Sequence, residues 1–416
     1  MTGSWKRQRS AMPSRAPRIA VFTHDAYGVG HVRRSSRIIQ ALAEKEPDSA
    51  LLLITGSPAT HLLGELPRNA DTIKIPTITT SGTEGTQPPT LGIGVAELAS
   101  MRGELTRCAL DLFAPDVLLV DNFPLGTRLE LLPALRELRH RPTRTVLGLR
   151  DVVDPPKKVQ RDWERDGIYG IIERYYDKVL VYGVREVLDA VEAYALSDTV
   201  ADRLSYCGYV TESGLARSDP DTVRRELEVD AGFFLATVGG GGDGRPLLEA
   251  FIGALDEFPG RPAVVVAGEF MSPSDRAAIV HAASARHGVT VRNHLADLPS
   301  AMAAADLVVA MGGYNTSAEI MSTGARSVLV PRTWRAGEHG SRGRSGVDAE
   351  QHVRASGLAQ LGLVTALEAE ELTSKTLGRA MTRALAQPRR NGSSRLDLNG
   401  ASCVADHLLA LARERD

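Results

Sequence analysis

Cysteines and aromatic residues are scarce in this sequence, and its charges nearly cancel. Three cysteines, Cys108, Cys207 and Cys403, are spread over 416 residues. Their odd number and wide separation argue against a disulfide framework and against a thiolate metal site, and favour a reducing cytoplasm. The formal net charge is −2, with acids and bases balanced in both halves, so the chain offers no basic footprint for nucleic acid.

Long apolar runs are missing as well. No stretch reaches the length needed to span a membrane, and the first residues lack the apolar core of a signal peptide. We therefore expect a cytoplasmic protein without a transmembrane segment. Residues 1–17 contain basic residues and two prolines but no acid, a composition that predicts a disordered basic tail.

The chain does contain a regular alternation of strand-length apolar runs and helices, which is typical of an α/β protein. The alternation begins at residue 18 and restarts near residue 218. We predict two doubly wound, Rossmann-like domains, at 18–215 and 216–398, that face a central cleft. A last helix, in 399–416, is expected to pack back on the first domain. Residues 77–94, rich in Thr, Ser, Gly and Pro, are predicted to form a long loop.

A strand, a tight turn and a helix start follow one another after Asp306. The turn and the helix start consist of small and polar residues, namely Gly312, Gly313, Asn315, Thr316 and Ser317. A helix N-terminus at the carboxyl end of a parallel strand favours a diphosphate, because its N–H groups and its dipole attract anions. Glu319 suits the paired hydroxyls of a ribose, so a sugar nucleotide fits better than a bare phosphate. An ordinary βαβ turn with a surface Glu is the alternative.

A glycine-containing loop that ends in Gly30 and His31 follows the first strand. It lacks the third glycine of a dinucleotide fingerprint, which argues against NAD. A neutral imidazole at His31 could take a proton from a hydroxyl near pH 7. His24 is the rival base, and Asp25 could orient either ring. A structural or solvent-exposed histidine is the alternative.

Residues 239–244 form a second glycine loop, after the first strand of the second domain. Four consecutive glycines allow a phosphate or sugar close to the backbone, although a plain flexible connection is the alternative. The loop lacks the Gly-Lys-Ser/Thr ending of a P-loop, which disfavours ATP hydrolysis. Arginines between residues 331 and 351 could screen a leaving diphosphate or simply be solvated.

These stretches resemble GT-B glycosyltransferases, and the C-terminal half is similar to glycosyltransferase family 28, which includes the peptidoglycan N-acetylglucosaminyltransferases. The resemblance lies in GVGH at residues 28–31, in residues 293–331, and in Glu350 with Gln351. It implies a GT-B fold, in which two Rossmann-like domains enclose the cleft.

The resemblance also implies a role for each matching position. Glu319 would hold the ribose hydroxyls, His294 and Leu295 would meet the base, and Gln351 would address the donor sugar. His31 would lie beside the acceptor. The implied donor-binding residues are Gly240, Gly241, Gly242, His294, Leu295, Gly312, Gly313, Asn315, Thr316, Ser317, Glu319, Glu350 and Gln351.

The predicted function is an inverting, metal-independent glycosyltransferase. It would move a sugar from a nucleotide diphosphate, with UDP favoured over dTDP and GDP, to a hydroxyl or amine of a small soluble acceptor such as a secondary metabolite. His31 is the predicted base, with His24 and Asp151 as alternatives. The predicted acceptor-binding residues are Gly30, Asp121, Asn122 and Arg150.

Apart from the nucleotide sugar, no cofactor and no metal are expected. The expected partners are the two substrates. The protein is expected to be a monomer or a homodimer, and peripheral contact with a membrane is disfavoured but left open.

Two rival functions are compatible with the predicted fold. One is a sugar-nucleotide 2-epimerase, and the other is a non-catalytic sugar-nucleotide-binding protein.

Overall fold

A computed structural model describes residues 15–23, 30–57, 66–81, 85–87, 91–211, 218–230, 232–334, 346–347, 349–389 and 396–414. The predictions made for the first fourteen residues, for His24 and Asp25, and for most of the arginine-rich stretch after Trp334 lie outside the described residues.

The first domain is built on a parallel sheet. Its chain contains the strands β1 (Arg18–Thr23), β2 (Ala50–Thr55), β3 (Ala70–Lys74), β4 (Thr79–Ser81), β5 (Gly85–Gln87), β6 (Val117–Asp121), β7 (Arg144–Arg150), β8 (Lys178–Tyr182) and β9 (Leu204–Tyr206). Seven of them form one sheet in the order β3-β2-β1-β6-β7-β8-β9, while β4 and β5 pair as a separate antiparallel hairpin.

Helices connect these strands. They are α1 (Gly30–Lys45), α2 (Val95–Phe113), α3 (Leu132–Leu138), α4 (Pro156–Arg165), α5 (Ile168–Tyr175), α6 (Ala190–Ala193) and α7 (Asp198–Ala201), with a 3-10 turn at Thr127–Leu129. The order of the sheet places β6 directly beside β1. The carboxyl ends of these two strands therefore meet at the same edge, where α1 begins.

The second domain repeats this plan. Its elements are α8 (Pro220–Leu227), β10 (Phe234–Thr237), α9 (Arg245–Ala254), β11 (Ala263–Val266), α10 (Pro273–Ser284), β12 (Val289–Arg292), α11 (Leu298–Ala304), β13 (Leu307–Ala310), α12 (Tyr314–Thr323), β14 (Ser327–Leu329), β15 (Thr333–Trp334), β16 (Gly346–Val347), α13 (Ala349–Gln360), β17 (Thr365–Ala366) and α14 (Ser374–Leu385), with 3-10 turns at Leu255–Glu257 and Ala369–Glu371. Six strands form a parallel sheet in the order β12-β11-β10-β13-β14-β17, and β15 pairs with β16.

The last helix, α15 (Gly400–Arg413), returns to the first domain and packs against α1. Leu408 and Leu409 are buried in the same apolar cluster as Ile19 of β1. That cluster also contains Leu235 of β10, so one core runs through both domains.

The two segments that link the domains run side by side. The Tyr209 amide donates to the Asp397 carbonyl at 2.8 Å, and the Gly400 amide donates to the Tyr209 carbonyl at 3.0 Å. Val210 and Asn399 complete the junction as an isolated antiparallel bridge. The outgoing and returning chains therefore form a double crossover between the domains.

The predicted fold class is confirmed: both domains are doubly wound parallel sheets covered by helices. The prediction of one long loop over residues 77–94 was wrong in part, because β4 and β5 pair as an antiparallel hairpin there. Threonine favours strands, but the Thr, Ser, Gly and Pro composition of this stretch as a whole is typical of a loop. In the part of the chain that the structure describes, no helix is long and apolar enough to cross a membrane.

Shortening a side chain on the packed face of α15 tests whether this helix is part of the core. Leu408 is fully buried, so Leu408→Ala should lower the free energy of unfolding by about 2–5 kcal/mol, measured by denaturant titration. Leu411 on the same helix is only partly buried, and Leu411→Ala should cost clearly less. Equal losses for the two variants would contradict this packing.

Candidate functional site

The N-terminus of α1 and the N-terminus of α12 meet across the cleft. Nδ2 of Asn315 donates to the Gly30 carbonyl at 3.4 Å. Gly313 precedes α12 in an extended conformation, and no side chain caps that helix. Two helix dipoles thus direct their positive ends at one region, which is the physical requirement for binding an anion.

His31, at the start of α1, is bound to a carboxylate. Its Nδ1 lies 2.6 Å from Oδ2 of Asp121, the last residue of β6. The imidazole keeps 18% of its surface exposed, whereas the Asp121 side chain is buried. The aromatic ring of Phe123 lies beside the imidazole, with ring centroids 6.5 Å apart. The pair has the geometry of a base and the group that orients it.

Arg34 fixes the ionisation of this pair. Its guanidinium donates to both oxygens of Asp121 at 2.8 Å. Burial alone would raise the pKa of Asp121, but the charges of Arg34 and His31 outweigh it and hold that pKa well below its ordinary value. Asp121 is therefore a carboxylate, and Nδ1 of His31 carries the proton that faces it.

The second contact of the imidazole opposes that tautomer, because Nη2 of Arg34, itself a donor, lies 2.8 Å from Nδ1 of His31. The carboxylate decides between the two: it lies closer to Nδ1, at 2.6 Å, and already accepts from the same Nη2 with both of its oxygens, whereas a bare Nδ1 would set its lone pair against the Asp121 carboxylate. With Nδ1 protonated, Nε2 is the ring nitrogen that carries the lone pair. Asp121, predicted as an acceptor-binding residue, thus lies against the imidazole of His31, where it can orient the ring.

Asp151, predicted as an alternative base, lies in a buried ion pair. Nε and Nη2 of Arg354 each donate to its carboxylate at 2.7 Å, and the Tyr209 hydroxyl donates at 2.9 Å. Both charged side chains are almost completely buried. A carboxylate held this way has no access to a substrate proton, so the structure argues against Asp151 as the base.

The same cluster joins a predicted donor residue to a predicted acceptor residue. Oε1 of Glu350 accepts from Arg150 at 2.9 Å and from Arg354 at 2.8 Å. Arg150 extends from the end of β7, and Glu350 lies in the first turn of α13. The structure thus brings the two together, although as an ion pair between domains.

Asn122, predicted to bind the acceptor, directly follows Asp121 at the end of β6. Its backbone has a φ of 65°, in the left-handed region that asparagine tolerates. Oδ1 of Asn122 accepts from the Arg150 amide at 3.3 Å. Its Nδ2 is buried and has no hydrogen-bond partner among the described residues, which suits a donor group for an acceptor hydroxyl.

Glu319, predicted to hold the ribose hydroxyls, lies on α12 and faces Arg37 of α1. Its carboxylate accepts from Nη2 of Arg37 at 3.4 Å across the cleft. Burial raises the pKa of Glu319 above its ordinary value, and the charges of Arg37 and Arg33 oppose that shift. Two further polar atoms on this helix, Oδ1 of Asn315 and Oγ of Ser317, are buried without a hydrogen-bond partner in the described part of the chain.

The second glycine loop lies at the same edge of the sheet. Gly241 has a φ of 88°, and a Cβ there would lie 2.1 Å from the Ala267 carbonyl oxygen, so only glycine fits. Asp243 of this loop pairs with Nε of Arg332 at 3.2 Å, and Oε1 of Gln351 accepts from the Arg332 amide at 3.1 Å. Gln351 thus lies beside the glycine loop, close to Gly312.

The predicted base-contacting residues follow β12 on the neighbouring strand end. His294 is exposed and Leu295 is half-buried against the core. An aromatic residue that sequence reasoning missed, Phe270, lies next to this loop: its amide donates to the Gly240 carbonyl at 2.8 Å, and its ring is 45% exposed. An exposed ring at the strand edge provides a stacking surface.

Tyr314 is another residue that sequence reasoning missed. Its ring lies 5.1 Å from the Arg34 guanidinium and 5.7 Å from that of Arg354, and its hydroxyl accepts from the Val210 amide at 3.0 Å. The first residue of α12 is therefore wedged between two buried cations at the domain junction. Its position directly after Gly312 and Gly313, at the start of the helix, is the feature of the sequence that could have pointed to it.

Solved structures of other proteins share this two-domain architecture. The fold matches MurG from Acinetobacter baumannii with a TM-score of 0.61, at 14% identity, over 95% of this chain and 99% of that one. It matches the calicheamicin glycosyltransferase CalG4 with a TM-score of 0.61, at 14% identity, over 97% and 100%. A UDP-GlcNAc 2-epimerase from Methanocaldococcus jannaschii gives 0.59, at 11% identity, over 95% and 99%. The chain has the GT-B fold, as predicted.

The second domain has a family resemblance as well. Residues 274–397 match the glycosyltransferase family 28 C-terminal domain, which confirms the resemblance drawn from the motifs. Two curated relatives carry the name UDP-N-acetylglucosamine–N-acetylmuramyl-(pentapeptide) pyrophosphoryl-undecaprenol N-acetylglucosamine transferase. The one from Exiguobacterium sibiricum is 30% identical over 31% of this chain and 33% of its own length. The one from Desulforudis audaxviator is 25% identical over 56% and 60%. The chain thus spans less than two thirds of either relative.

The ion pair between the domains can be tested by removing one charge. Arg354→Met would leave Asp151 buried without its cation and should lower the free energy of unfolding by about 3–5 kcal/mol. Adding Asp151→Leu should restore most of that loss, because no unpaired charge remains. Denaturant titration measures both, with Arg286→Met in an exposed pair as the control. A double variant as unstable as the single one would contradict the pairing.

Proposed function

We propose that this chain is an inverting glycosyltransferase that uses a nucleotide diphosphate sugar, with His31 as the catalytic base. The observation that carries the proposal is the His31–Asp121 pair at the start of α1, facing the N-terminus of α12. A base and an anion site lie on opposite sides of one cleft, which is the arrangement that a displacement at a sugar carbon needs.

In the proposed reaction, Nε2 of His31 takes the proton of an acceptor hydroxyl as its oxygen bonds to the anomeric carbon. The bond from that carbon to the phosphate oxygen breaks, and its electron pair leaves with the diphosphate. Asp121 stabilises the imidazolium that forms. A single displacement from the opposite face inverts the anomeric configuration.

The departing diphosphate carries the charge that must be stabilised. In this proposal the N-terminus of α12 supplies that stabilisation, with Asn315 and Ser317 as hydrogen-bonding groups and Arg332 nearby. Metal independence belongs to the proposal, because oriented dipoles and arginines can do this work. Glu319 would accept the ribose hydroxyls, with Arg37 giving up its contact when the donor enters.

Replacing the base separates catalysis from binding. His31→Ala should lower transfer by about 10²–10⁴-fold and leave donor affinity nearly unchanged, measured by product formation and by calorimetry with UDP. His281→Ala, an exposed histidine on α10, is the matched control. Unchanged turnover would move the base elsewhere, and a parallel loss of UDP affinity would give His31 a binding role.

The ribose contact has a pH signature. Because burial raises the pKa of Glu319, its carboxylate takes up a proton at a higher pH than an exposed Glu, and UDP affinity should fall as the pH drops through that value. Glu319→Gln should weaken UDP binding at neutral pH by roughly 10- to 100-fold and remove this pH dependence. Calorimetric titrations from neutral to mildly acidic pH measure both effects. A variant that keeps the wild-type pH profile would rule out Glu319 as its source.

The acceptor in this proposal is a small molecule with an apolar or aromatic part, because Phe123 is 43% exposed beside His31. CalG4, a calicheamicin glycosyltransferase by its title, shares the fold. A UDP sugar is the favoured donor, since both curated relatives are named for UDP-N-acetylglucosamine. A thermal-shift panel of UDP, dTDP and GDP sugars tests the donor, because a bound ligand raises apparent stability.

A lipid-linked acceptor is the second candidate, and one observation favours it. On α2, Met101, Leu105 and Leu112 are 45%, 46% and 77% exposed, and their spacing puts them along one side of the helix. The curated relatives are named for a pyrophosphoryl-undecaprenol substrate. Transfer to a polyprenyl-linked sugar, lost in a Leu105→Glu variant, would favour this acceptor over a soluble one.

The epimerase with the same fold is the rival enzyme. It would convert the sugar nucleotide alone, whereas a transferase needs an acceptor. An epimer that appears during incubation with the donor alone would therefore contradict the transferase proposal.

A further inference from the structure

A cluster of two thiols and an imidazole lies where α15 packs on the first domain. Cys207 follows β9, and Cys403 and His407 lie one turn apart on α15. Their sulfur and nitrogen atoms all lie within 4.8 Å of one another. Sequence separation argued against a thiolate metal site, but the fold overturns that argument because α15 returns to β9.

The dimensions of the cluster suit a tetrahedral ion. With zinc bonds of about 2.3 Å to sulfur and about 2.0 Å to nitrogen, the ligand atoms of a tetrahedron lie about 3.4–3.8 Å apart. Side-chain rotations that draw the three atoms inward by about 1 Å would reach that spacing. Two thiolates and an imidazole are the ligands that zinc selects in proteins.

The burial and charge of the cluster are consistent with a bound cation. Cys207 is buried and Cys403 is half-buried, so the ligands are shielded from competing water but can be reached from one side. The charges of Lys178 and Asp397 act on Cys207. Two thiolates would neutralise a divalent ion, and these two neighbouring charges offset each other.

We propose that Cys207, Cys403 and His407 bind one Zn²⁺ ion, with water as the fourth ligand. Cys207 lies two residues before Tyr209, and Cys403 lies three residues after Gly400, the pair whose backbones hydrogen-bond at the double crossover. The ion therefore links the outgoing and returning segments between the domains. Its role is to hold α15 and the domain junction in place.

Cobalt titration tests the site in the full-length protein. After treatment with a chelator and a phosphine reductant, one equivalent of Co²⁺ should produce thiolate-to-cobalt charge transfer and the visible bands of tetrahedral cobalt. Cys403→Ser should lose the charge transfer of one thiolate, and His407→Ala should shift the visible bands. Cys108→Ser, at the exposed third cysteine, should bind as the wild type does.

Zinc should also raise the melting temperature of the wild type and of Cys108→Ser, but not that of Cys403→Ser. Absence of charge transfer in the reduced wild type would overturn the proposal, and so would an unchanged spectrum in Cys403→Ser. If the protein before reduction has a mass lower by two hydrogens and only one of its three cysteines titrates as a thiol, the proposal is also overturned, since Cys207 and Cys403 would then form a disulfide. Neither His31 nor the cleft takes part in these measurements.

Discussion

The carboxylate of Asp151 comes from one domain and the guanidinium of Arg354 from the other, and both are buried in the junction between them. A buried charge without its partner costs several kcal/mol. The two domains therefore cannot slide or separate at this point without exposing or orphaning both groups. Tyr209, Gly312 and Glu350 supply further hydrogen bonds to the pair, so the relative position of the domains is specified by several directional contacts.

The proposed base depends on that position through a chain of contacts. Arg354 lies against Tyr314, Tyr314 lies against Arg34, and Arg34 binds the carboxylate that holds His31. Each step is a short cation–ring or charge–charge contact between buried side chains, where such contacts are stronger than at the surface. The same arrangement brings the first residue of α1 to the N-terminus of α12. Orientation of the base and location of the anion site are thus consequences of one junction.

Much of the fold could be predicted from the sequence, because parallel strands covered on both faces appear as apolar runs. Strand β13, with the sequence LVVA, is such a run and is fully buried. The two-residue strand β17 and the hairpin of β4 and β5 have no such run: β17 is defined by its pairing with the distant strand β14, and β4 and β5 by their pairing with each other. The last helix was predicted within residues 399–416, and the structure has it at Gly400–Arg413.

The site was harder to predict, because its pairings join distant residues. Asp121 is 90 positions from His31, and only the adjacency of β1 and β6 brings them together. The motif identified the histidine but not its partner. No motif marks Arg34 or Arg354, since a sequence does not show which arginines are buried. Cys207 and Cys403 illustrate the same limit, because separation along the chain was taken for separation in space.

The proposed reaction is a single displacement at the anomeric carbon, with the base and the leaving group on opposite sides of the cleft. It can be followed with water as the acceptor: slow hydrolysis of an α-linked nucleotide sugar is monitored by proton NMR before the product mutarotates. We expect the β anomer of the free sugar to form first, and His31→Ala to slow its appearance. First formation of the α anomer would rule out a single displacement, because retention requires a different arrangement of groups at the sugar.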